Sequence, residues 1–247
     1  MAQAKPKLPF VSVIIPAYNE EKYLGTALDS ILQQDFPRNR FEIIVADNKS
    51  TDATPKIARA HGAKVVNASK VPPFHVGAVR HEGALAASRR AEVLVFADAD
   101  IHAPPNWLRT LVSAYEDGRV AGAQGPVLPS DGTLFQTLVS KMLFVPYLGV
   151  MALLKHPSGP GSNYSARRVA YFKVKGFNKN LITCEDIDLA ARLLKIGRFV
   201  FVARAPVNVS MRRVQKWGTV KYFLFHVINS VRYALFGKSS EEYEPIR

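Results

Sequence analysis

The chain has 247 residues and a formal net charge of +13, from 33 Lys and Arg against 20 Asp and Glu. That length buries a substantial core, and a composition 48% hydrophobic and 21% charged excludes disordered and fibrous classes. The single cysteine, Cys184, excludes an internal disulfide framework and fits a reducing compartment; Met1 to Lys7 leads into no apolar signal-type run, so no signal peptide is expected.

Three apolar runs that read as buried strands each end on carboxylates. Val11 to Pro16 runs into Ala17-Tyr18-Asn19-Glu20, Phe41 to Ala46 ends at Asp47, and Glu92 to Ala97 ends at Asp98-Ala99-Asp100. Short β-branched runs separated by helical stretches predict a mostly parallel sheet, whose ligands bind outside the carboxyl ends of the strands. Acids gathered at one sheet edge repel each other unless a cation or hydrogen-bond donors sit among them. A metal-bound, donor-rich ligand such as a nucleotide diphosphate fits that edge.

Between the strands, Glu21 to Gln34 places Leu24, Leu28, Ile31 and Leu32 at helical spacing. Ser50-Thr51-Asp52 supplies N-cap chemistry for a helix through Ile57 and Ala60, closed by Gly62. Lys64 to Val66 reads as a short strand, Val76 to Ser88 as a helix, and Pro104-Pro105 opens a helix carrying Trp107, Leu108 and Leu111. Ala121 to Val127 reads as one further strand. Leu134 to Leu154 is long and apolar enough to suggest a membrane span, but Gln136, Lys141, Pro146 and Gly149 interrupt it, predicting a bent, partly buried or interfacial helix. A loop at Gly159 to Ser162 precedes the short run Asn163 to Ala166, and Glu185 to Lys195 reads as a helix stopped by Gly197.

Charge divides the chain. Between Lys155 and Lys238 sixteen Lys and Arg face three acids, and the remainder is neutral. A basic half attracts phosphate-rich partners or forms a solvated face. No helix-turn-helix or zinc-finger spacing and no aromatic nucleic-acid motif accompanies it, so an anionic membrane surface or a pyrophosphate-bearing substrate is favoured over nucleic acid.

Two Asp-x-Asp pairs occur. Asp98 and Asp100 follow a buried strand, where alternate residues point to one side and can share a cation; Asp186 and Asp188 sit on a helix, diverging by roughly 200°. His102 continues the alternation and is either a third ligand or a loop histidine bonded to backbone. Carboxylates with an imidazole suit Mg²⁺ or Mn²⁺ bridging phosphates.

In order along the chain stand Ser12 to Glu20, Asp47 to Asp52, Ala78 to Gly83, Phe96 to Asp100, Gly176-Phe177 and Glu185 to Leu189. This series resembles the family-2 glycosyltransferases of the GT-A fold, from about Val11 to about Arg213. The resemblance implies an α/β, Rossmann-like, mostly parallel central sheet with an elaborated helical acceptor-binding half. It divides one domain into a nucleotide-sugar-binding half (8–130), an acceptor-binding and catalytic half (131–216) and a C-terminal amphipathic helix and tail (217–247).

It also implies roles. Pro16, Ala17, Tyr18 and Glu20 line the nucleoside pocket, Asp47 accepts a hydrogen bond from a base N–H of uracil or guanine, and Arg80 neutralises phosphate or braces the base, unless it is a surface salt bridge. Asp98, with Ala99 beside it, and Asp100 hold a metal on the diphosphate. Asp186, paired with Glu185, takes the acceptor proton, against the alternative of acids that merely favour a helix N-terminus. The chain departs from the family pattern at Asn48, where a second acid is usual, and after its last strand, where Ser210, Arg212 and Arg213 replace a histidine and become candidates for diphosphate contact. Gln215-Lys216-Trp217 matches the Gln-x-x-Arg-Trp motif of processive members only loosely, and flanking transmembrane helices are not seen, so polymer synthesis is not expected. The implied activity is inverting, metal-dependent transfer from a UDP-sugar, or secondarily a GDP-sugar, to a glycan or lipid-linked acceptor. Transfer to a polyprenyl phosphate is the in-family alternative. Nucleotidyl transfer lacks its glycine-rich phosphate loop here, and a non-catalytic nucleotide-sugar-binding scaffold lies behind it. The expected location is cytoplasmic, peripheral at the inner face of the membrane.

On a helical wheel, Val220, Phe223, Leu224, Val227, Ile228, Val231, Ala234 and Leu235 of the Val220 to Phe236 stretch fall within an arc of roughly 140°, wide enough for a core-facing stripe. Tyr222, Phe225, Tyr233 and Phe236 form a second, aromatic ridge beside Lys221 and Arg232, which reads either as a membrane-facing ridge or as packing under the Leu134 to Leu154 segment.

Overall fold

The computed structural model describes residues 8–155 and 161–240. The three carboxylate-ended runs form β1 (Val11–Ala17), β2 (Phe41–Asp47) and β4 (Val93–Ala97), with β3 (Lys64–Asn67) between the last two in sequence. β1 pairs in parallel with β2 and with β4, and β2 in parallel with β3. Alternation along β1 feeds two cores: Val11, Val13 and Ile15 face one side of the sheet and Ile14 the other. Helices α1 (Leu24–Leu32), α2 (Thr54–Ala60) and α4 (Trp107–Ser113) cover the first face, and α3 (Val76–Leu85) the second.

The sheet continues through the second half of the chain. Its order is β3-β2-β1-β4-β8-β6-β9, with β6 (Val120–Gln124), β8 (Asn163–Arg167) and β9 (Arg198–Phe201). β8 runs antiparallel between β4 and β6, so the sheet is mixed at this end while the parallel character dominates elsewhere. The stretch predicted as one strand over Ala121 to Val127 is instead β6 and β7 (Val127–Pro129), which lie in different sheets. Gly125-Pro126 separates them, and proline has no N–H to continue a ladder. β7 joins β5 (Ile101–His102) and β10 (Val207–Val209) in a small sheet ordered β5-β10-β7.

The predicted bent segment is a run of helix: α5 (Leu134–Val139), a π-turn stretch (Ser140–Phe144) and α6 (Val145–Leu153). Thr133 opens it with a capping box, its hydroxyl accepting from Gln136 N while Gln136 Oε1 accepts from Thr133 N. It is long and apolar enough to cross a membrane. It is only thinly covered: Leu148 alone is buried among the side chains from Leu134 to Leu153, others are half-buried, and Leu134 is 86% and Leu153 82% exposed. After β8 come α7 (Arg168–Lys173), α8 (Glu185–Leu194), α9 (Arg212–Trp217) and α10 (Thr219–Phe236).

The stripe assignment on α10 is inverted. Val220, Leu224, Val227, Ile228, Val231 and Leu235 are the exposed side, and Tyr222, Phe225 and Tyr233 turn inward; Phe236 is exposed. Phe225 meets Trp217 edge-on at 5.3 Å, and the Tyr233 hydroxyl donates to Asp188 in the first turn of α8. Aromatic rings with polar tips win the inner side because they satisfy buried acceptors as well as filling space.

Candidate active site

The donor edge is built by two loops sutured together. β1 ends at Ala17, and Asn19 turns the chain with φ 54°. Its backbone N–H donates to Ser50 Oγ (2.9 Å), its side-chain carbonyl accepts from Thr51 N (2.8 Å), and Glu20 N donates to Thr54 Oγ1 (2.7 Å). Ser50 and Thr51 therefore tie the segment before α2 to the first loop, but the expected side-chain cap is not formed: the helix starts later, at Thr54, with Ala53 at its N-cap, and Asp52 Oδ1 accepts from Thr54 N. Tyr18 is exposed on the edge, Pro16 is partly exposed and Ala17 is buried beneath. Asp47 lies opposite Ala17 in register, and its buried Oδ1 has no hydrogen-bond partner among the described residues. A buried acceptor without a partner costs free energy and marks a place where a ligand N–H is needed. The Asn48 side chain, with its amide turned to donate, faces the carbonyls of Ala68 (3.1 Å) and Val71 (3.2 Å). An acid there would have no proton for either, which is the local reason for the departure at this position.

The centre of the site is one guanidinium. Arg80, 3% exposed on α3, donates from Nη2 to Asp98 Oδ1 (2.6 Å) and from Nη1 to Glu185 Oε1 (2.9 Å). The surface salt-bridge alternative for Arg80 is thus excluded by burial. Its Nε, also buried, has no partner among the described residues. Two glycines make room: a Cβ on Gly161 would stand 2.6 Å from Arg80 Nη1, and one on Gly77 would stand 2.8 Å from Glu185 Cγ.

A second guanidinium closes the far side. Arg212, at the start of α9, grips Glu20 with both terminal nitrogens (2.9 and 3.1 Å) and also reaches Asp100 Oδ2 at 3.1 Å. Burial pushes the Asp100 carboxyl up to about 7, with Arg212 opposing and Asp98 and Glu20 adding to the rise. Among the described residues no group of three or more His, Cys, Asp or Glu side chains converges to hold a metal ion. His102 is exposed in β5, paired across the small sheet with Asn208, and does not complete a set with Asp98 and Asp100. The donor set nevertheless fits a hard divalent cation: two carboxylates one residue apart, beside Glu20, where two guanidinium groups already gather in response to the negative charge.

Ser210 is not available to a ligand as predicted. Its hydroxyl pairs with Asp131 (3.2 Å), which also accepts from Met211 N (2.6 Å), so it fastens the turn into α9. Arg213 lies 5.6 Å from the Trp217 ring.

The acid pair opens α8. Cys184 precedes it in a left-handed conformation, φ 61°, and Glu185, Asp186 and Asp188 fill the first turn, where the helix dipole favours negative charge. Burial raises both Glu185 and Asp186 above the ordinary carboxylate range; Asp186 adds to the rise at Glu185, and Arg80 opposes it at both. Asp188 is spent elsewhere, bound by Arg192 (Nε at 2.9 Å) and by the Tyr233 hydroxyl (2.7 Å). The residues the sequence reading missed are those of α10. Asn229, buried, donates to Thr183 Oγ1 (2.8 Å) and Cys184 Sγ (3.2 Å) and accepts from Ser240 N (2.6 Å). A lone amide inside an apolar helical run was the available signal. Burial raises the Tyr222 hydroxyl above its ordinary value, with Arg213 opposing and Asp98, Asp100 and Asp186 adding to the rise.

With this geometry in view, residues 12–179 match the model of glycosyl transferase family 2. The chain belongs to that family. It is 34% identical over 132 residues to glycosyltransferase AglE of Haloferax volcanii, covering 51% of this chain and 43% of that one. It is 26% identical over 245 residues to the O-antigen chain rhamnosyltransferase WbaN of Salmonella anatum, covering 90% and 74%. Its fold matches a mannosyltransferase from Pyrobaculum calidifontis in complex with GDP-Man and Mn²⁺, with TM-score 0.75, 22% identity, and 95% of this chain on 67% of the other. It also matches glucosyl-3-phosphoglycerate synthase from Mycobacterium tuberculosis in complex with Mn²⁺, UDP and glucosyl-3-phosphoglycerate, at TM-score 0.60 and 22% identity, covering 94% and 82%. The chain thus spans less than half of AglE and most of WbaN. The fold is the GT-A fold that the motif series implied, and the family is the one it resembled.

Proposed function

We propose that the protein transfers a sugar from a nucleotide-sugar donor, UDP-linked first and GDP-linked second, to a hydroxyl of a glycan or lipid-linked acceptor with inversion at the sugar carbon. The observation that carries this reading is Arg80, a buried cation shared between the aspartate at the donor edge and the acid pair at the acceptor side. One side chain thereby fixes the distance between leaving group and base.

The donor base meets Asp47, whose unpartnered Oδ1 suits a ring N–H of either uracil or guanine, with Tyr18 and Pro16 at the edge. Asp98 and Asp100 would hold Mg²⁺ or Mn²⁺, which supplies Lewis-acid neutralisation of the diphosphate. Arg80 and Arg212 remain as fixed positive charge beside the same phosphates. At the other side Asp186 takes the proton of the acceptor hydroxyl as that oxygen bonds to the sugar carbon and the bond from carbon to the diphosphate oxygen breaks. The raised carboxylates of the pair keep a base of useful strength near neutral pH. A phosphate acceptor is the second reading, favoured by the basic, acid-poor second half of the chain.

The test is a panel of UDP- and GDP-sugars with Mn²⁺ or Mg²⁺, read by thermal shift and by metal-dependent donor hydrolysis. Stabilisation and hydrolysis with one donor class support the proposal; neither response with any nucleotide sugar overturns it.

A further inference from the structure

We infer that the exposed aliphatic faces of α5–α6 and of α10 form one surface that seats the protein on an anionic lipid bilayer. This goes beyond sugar transfer and beyond the aromatic-ridge reading of the sequence, since the ridge is turned inward.

The surface begins where the two helices meet: Gln136 Nε2 donates to Thr219 Oγ1 at 3.3 Å. On one side of that junction Leu134, Phe135, Leu138, Met142 and Leu143 are exposed, and on the other Val220, Leu224, Ile228, Val231 and Leu235. Exposed apolar residues scattered singly need no partner, but two adjoining helix faces of this kind do. The α10 stripe spans an arc of roughly 100° on the wheel, with Lys221 and Arg232 along one flank. A shallow apolar recess at its start is lined by Trp217, Lys221, Leu224 and Phe225.

Charge selects the occupant. From Gly132 to Ser240 the acids are Glu185, Asp186 and Asp188, all in the first turn of α8 and each with a hydrogen-bond partner. Lys141, Lys155, Lys216, Lys221, Arg232 and Lys238 are all exposed on or next to the two helices. Among the described residues these aliphatic side chains are bordered by bases, with Asp131 before α5 the exception and held by Ser210 and Met211. Such a surface has little of the mixed charge of a typical protein interface rim and suits acyl chains beneath anionic headgroups. The α5–α6 helix has the length to cross a bilayer, yet it lies on the protein. Leu148 is buried, and Gly149 packs so near Phe201 of β9 that a Cβ there would sit 3.5 Å from the ring. It rests along the surface. The other side of α10 grips the loop before α8 through Asn229 and the first turn of α8 through Tyr233, so a seated α10 carries the Glu185–Asp186 pair to the lipid surface.

The experiment is co-sedimentation of the full chain with phosphatidylcholine vesicles containing or lacking phosphatidylglycerol. Expected is binding to the anionic vesicles that weakens as salt is raised, with little binding to neutral ones. The triple variant Leu224→Ser, Ile228→Ser, Leu235→Ser lowers that binding by roughly tenfold or more, with unfolding temperature and soluble-donor hydrolysis unchanged. Lys221→Gln with Arg232→Gln lowers it and flattens its salt dependence. Absence of vesicle binding, equal binding to both lipids, a triple variant that binds like the parent, or a stable dimer in which these leucines are protected would each overturn the inference. Sedimentation uses no donor, so its failure leaves the reading of the reaction untouched.

Discussion

From Phe10 to Gln124 the chain is nearly charge-balanced, its apolar core lies on both faces of a sheet, and Asp47, Asp98 and Asp100 stand at or just past strand ends. From Leu134 to Phe236 the surface charge is positive, two long helices leave their aliphatic sides uncovered, and the acids are confined to one turn. On the readings proposed above, the first region would bind an anionic, metal-bearing ligand in a fixed place, and the second would meet something extended and apolar with negative charge at its margin. Arg80 is the part that both regions share, and the active site is where their opposite charge economies meet.

The comparison is tested most severely at the strand-end acids. Asp100→Ala should lower metal-dependent turnover by roughly 10³-fold or more, several kcal/mol of transition-state stabilisation, with an unchanged unfolding profile. Normal turnover at limiting metal would remove Asp100 from the metal site. Asp186→Asn should instead keep donor binding and lose roughly 10²- to 10⁴-fold in transfer to a hydroxyl. If transfer to a phosphate acceptor survives in this variant, the phosphate reading replaces the hydroxyl one.

Arg80→Met tests whether the two halves are coupled. It strands Asp98 and Glu185 without their shared cation, and about 3–5 kcal/mol of stability, or roughly 10 °C in Tm, should go with it. A Tm within a degree of the parent would show the pair of acids to be independent of Arg80.

The pH profile sharpens the same point. Glu185 and Asp186 hold protons in the fold at a pH where they would be ionised unfolded. Below the unfolded carboxylate pKa their contribution to stability is fully present, and it is lost as pH rises through the raised folded values. Activity runs the other way, because Asp186 works as a carboxylate. Transfer should therefore rise over the pH window in which this part of the stability falls, and Asp186→Asn should flatten both limbs. A Tm that climbs with pH across that window, beyond what Asp186→Asn shows, would contradict the raised pair.

The smallest effects come from contrasting leucines. Leu28→Ala, buried under β1, should cost about 2–5 kcal/mol in denaturant unfolding, whereas Leu143→Ser, exposed on the π-turn stretch, should stay within about 0.5 kcal/mol. A large loss at Leu143 would mean that its face is covered in solution.

Much of the donor region was legible because its signals are local. β-branched runs with period two give β1, β2 and β4, and the carboxylates that end them follow from where strands end. Asp98 and Asp100 are close together because a single residue, Ala99, separates them in sequence. The acceptor region was harder for the same physical reason. β8 is a central strand although Asn163 to Arg167 reads as a polar run; its polar side chains are spent inside, Asn163 receiving the Trp107 indole N–H and Ser165 the Tyr115 hydroxyl. Ser210 read as a phosphate contact until Asp131, 79 residues away, took its hydroxyl.

By itself the sequence determined the alternation of strand and helix, the place of the acids at the sheet edge, the family motif series and the charge asymmetry, since each is a property of neighbouring residues or of counts. Only the tertiary structure decided which partner each charged or amphipathic group would take. Arg80 meets Asp98 and Glu185 across 18 and 105 residues, and Arg212 meets Glu20 across 192. On α10 the wheel showed two apolar faces but not which was inner. That choice fell to Asn229 and Tyr233, whose buried hydrogen bonds to the loop before α8 and its first turn turn the aromatic side in and leave the aliphatic side out.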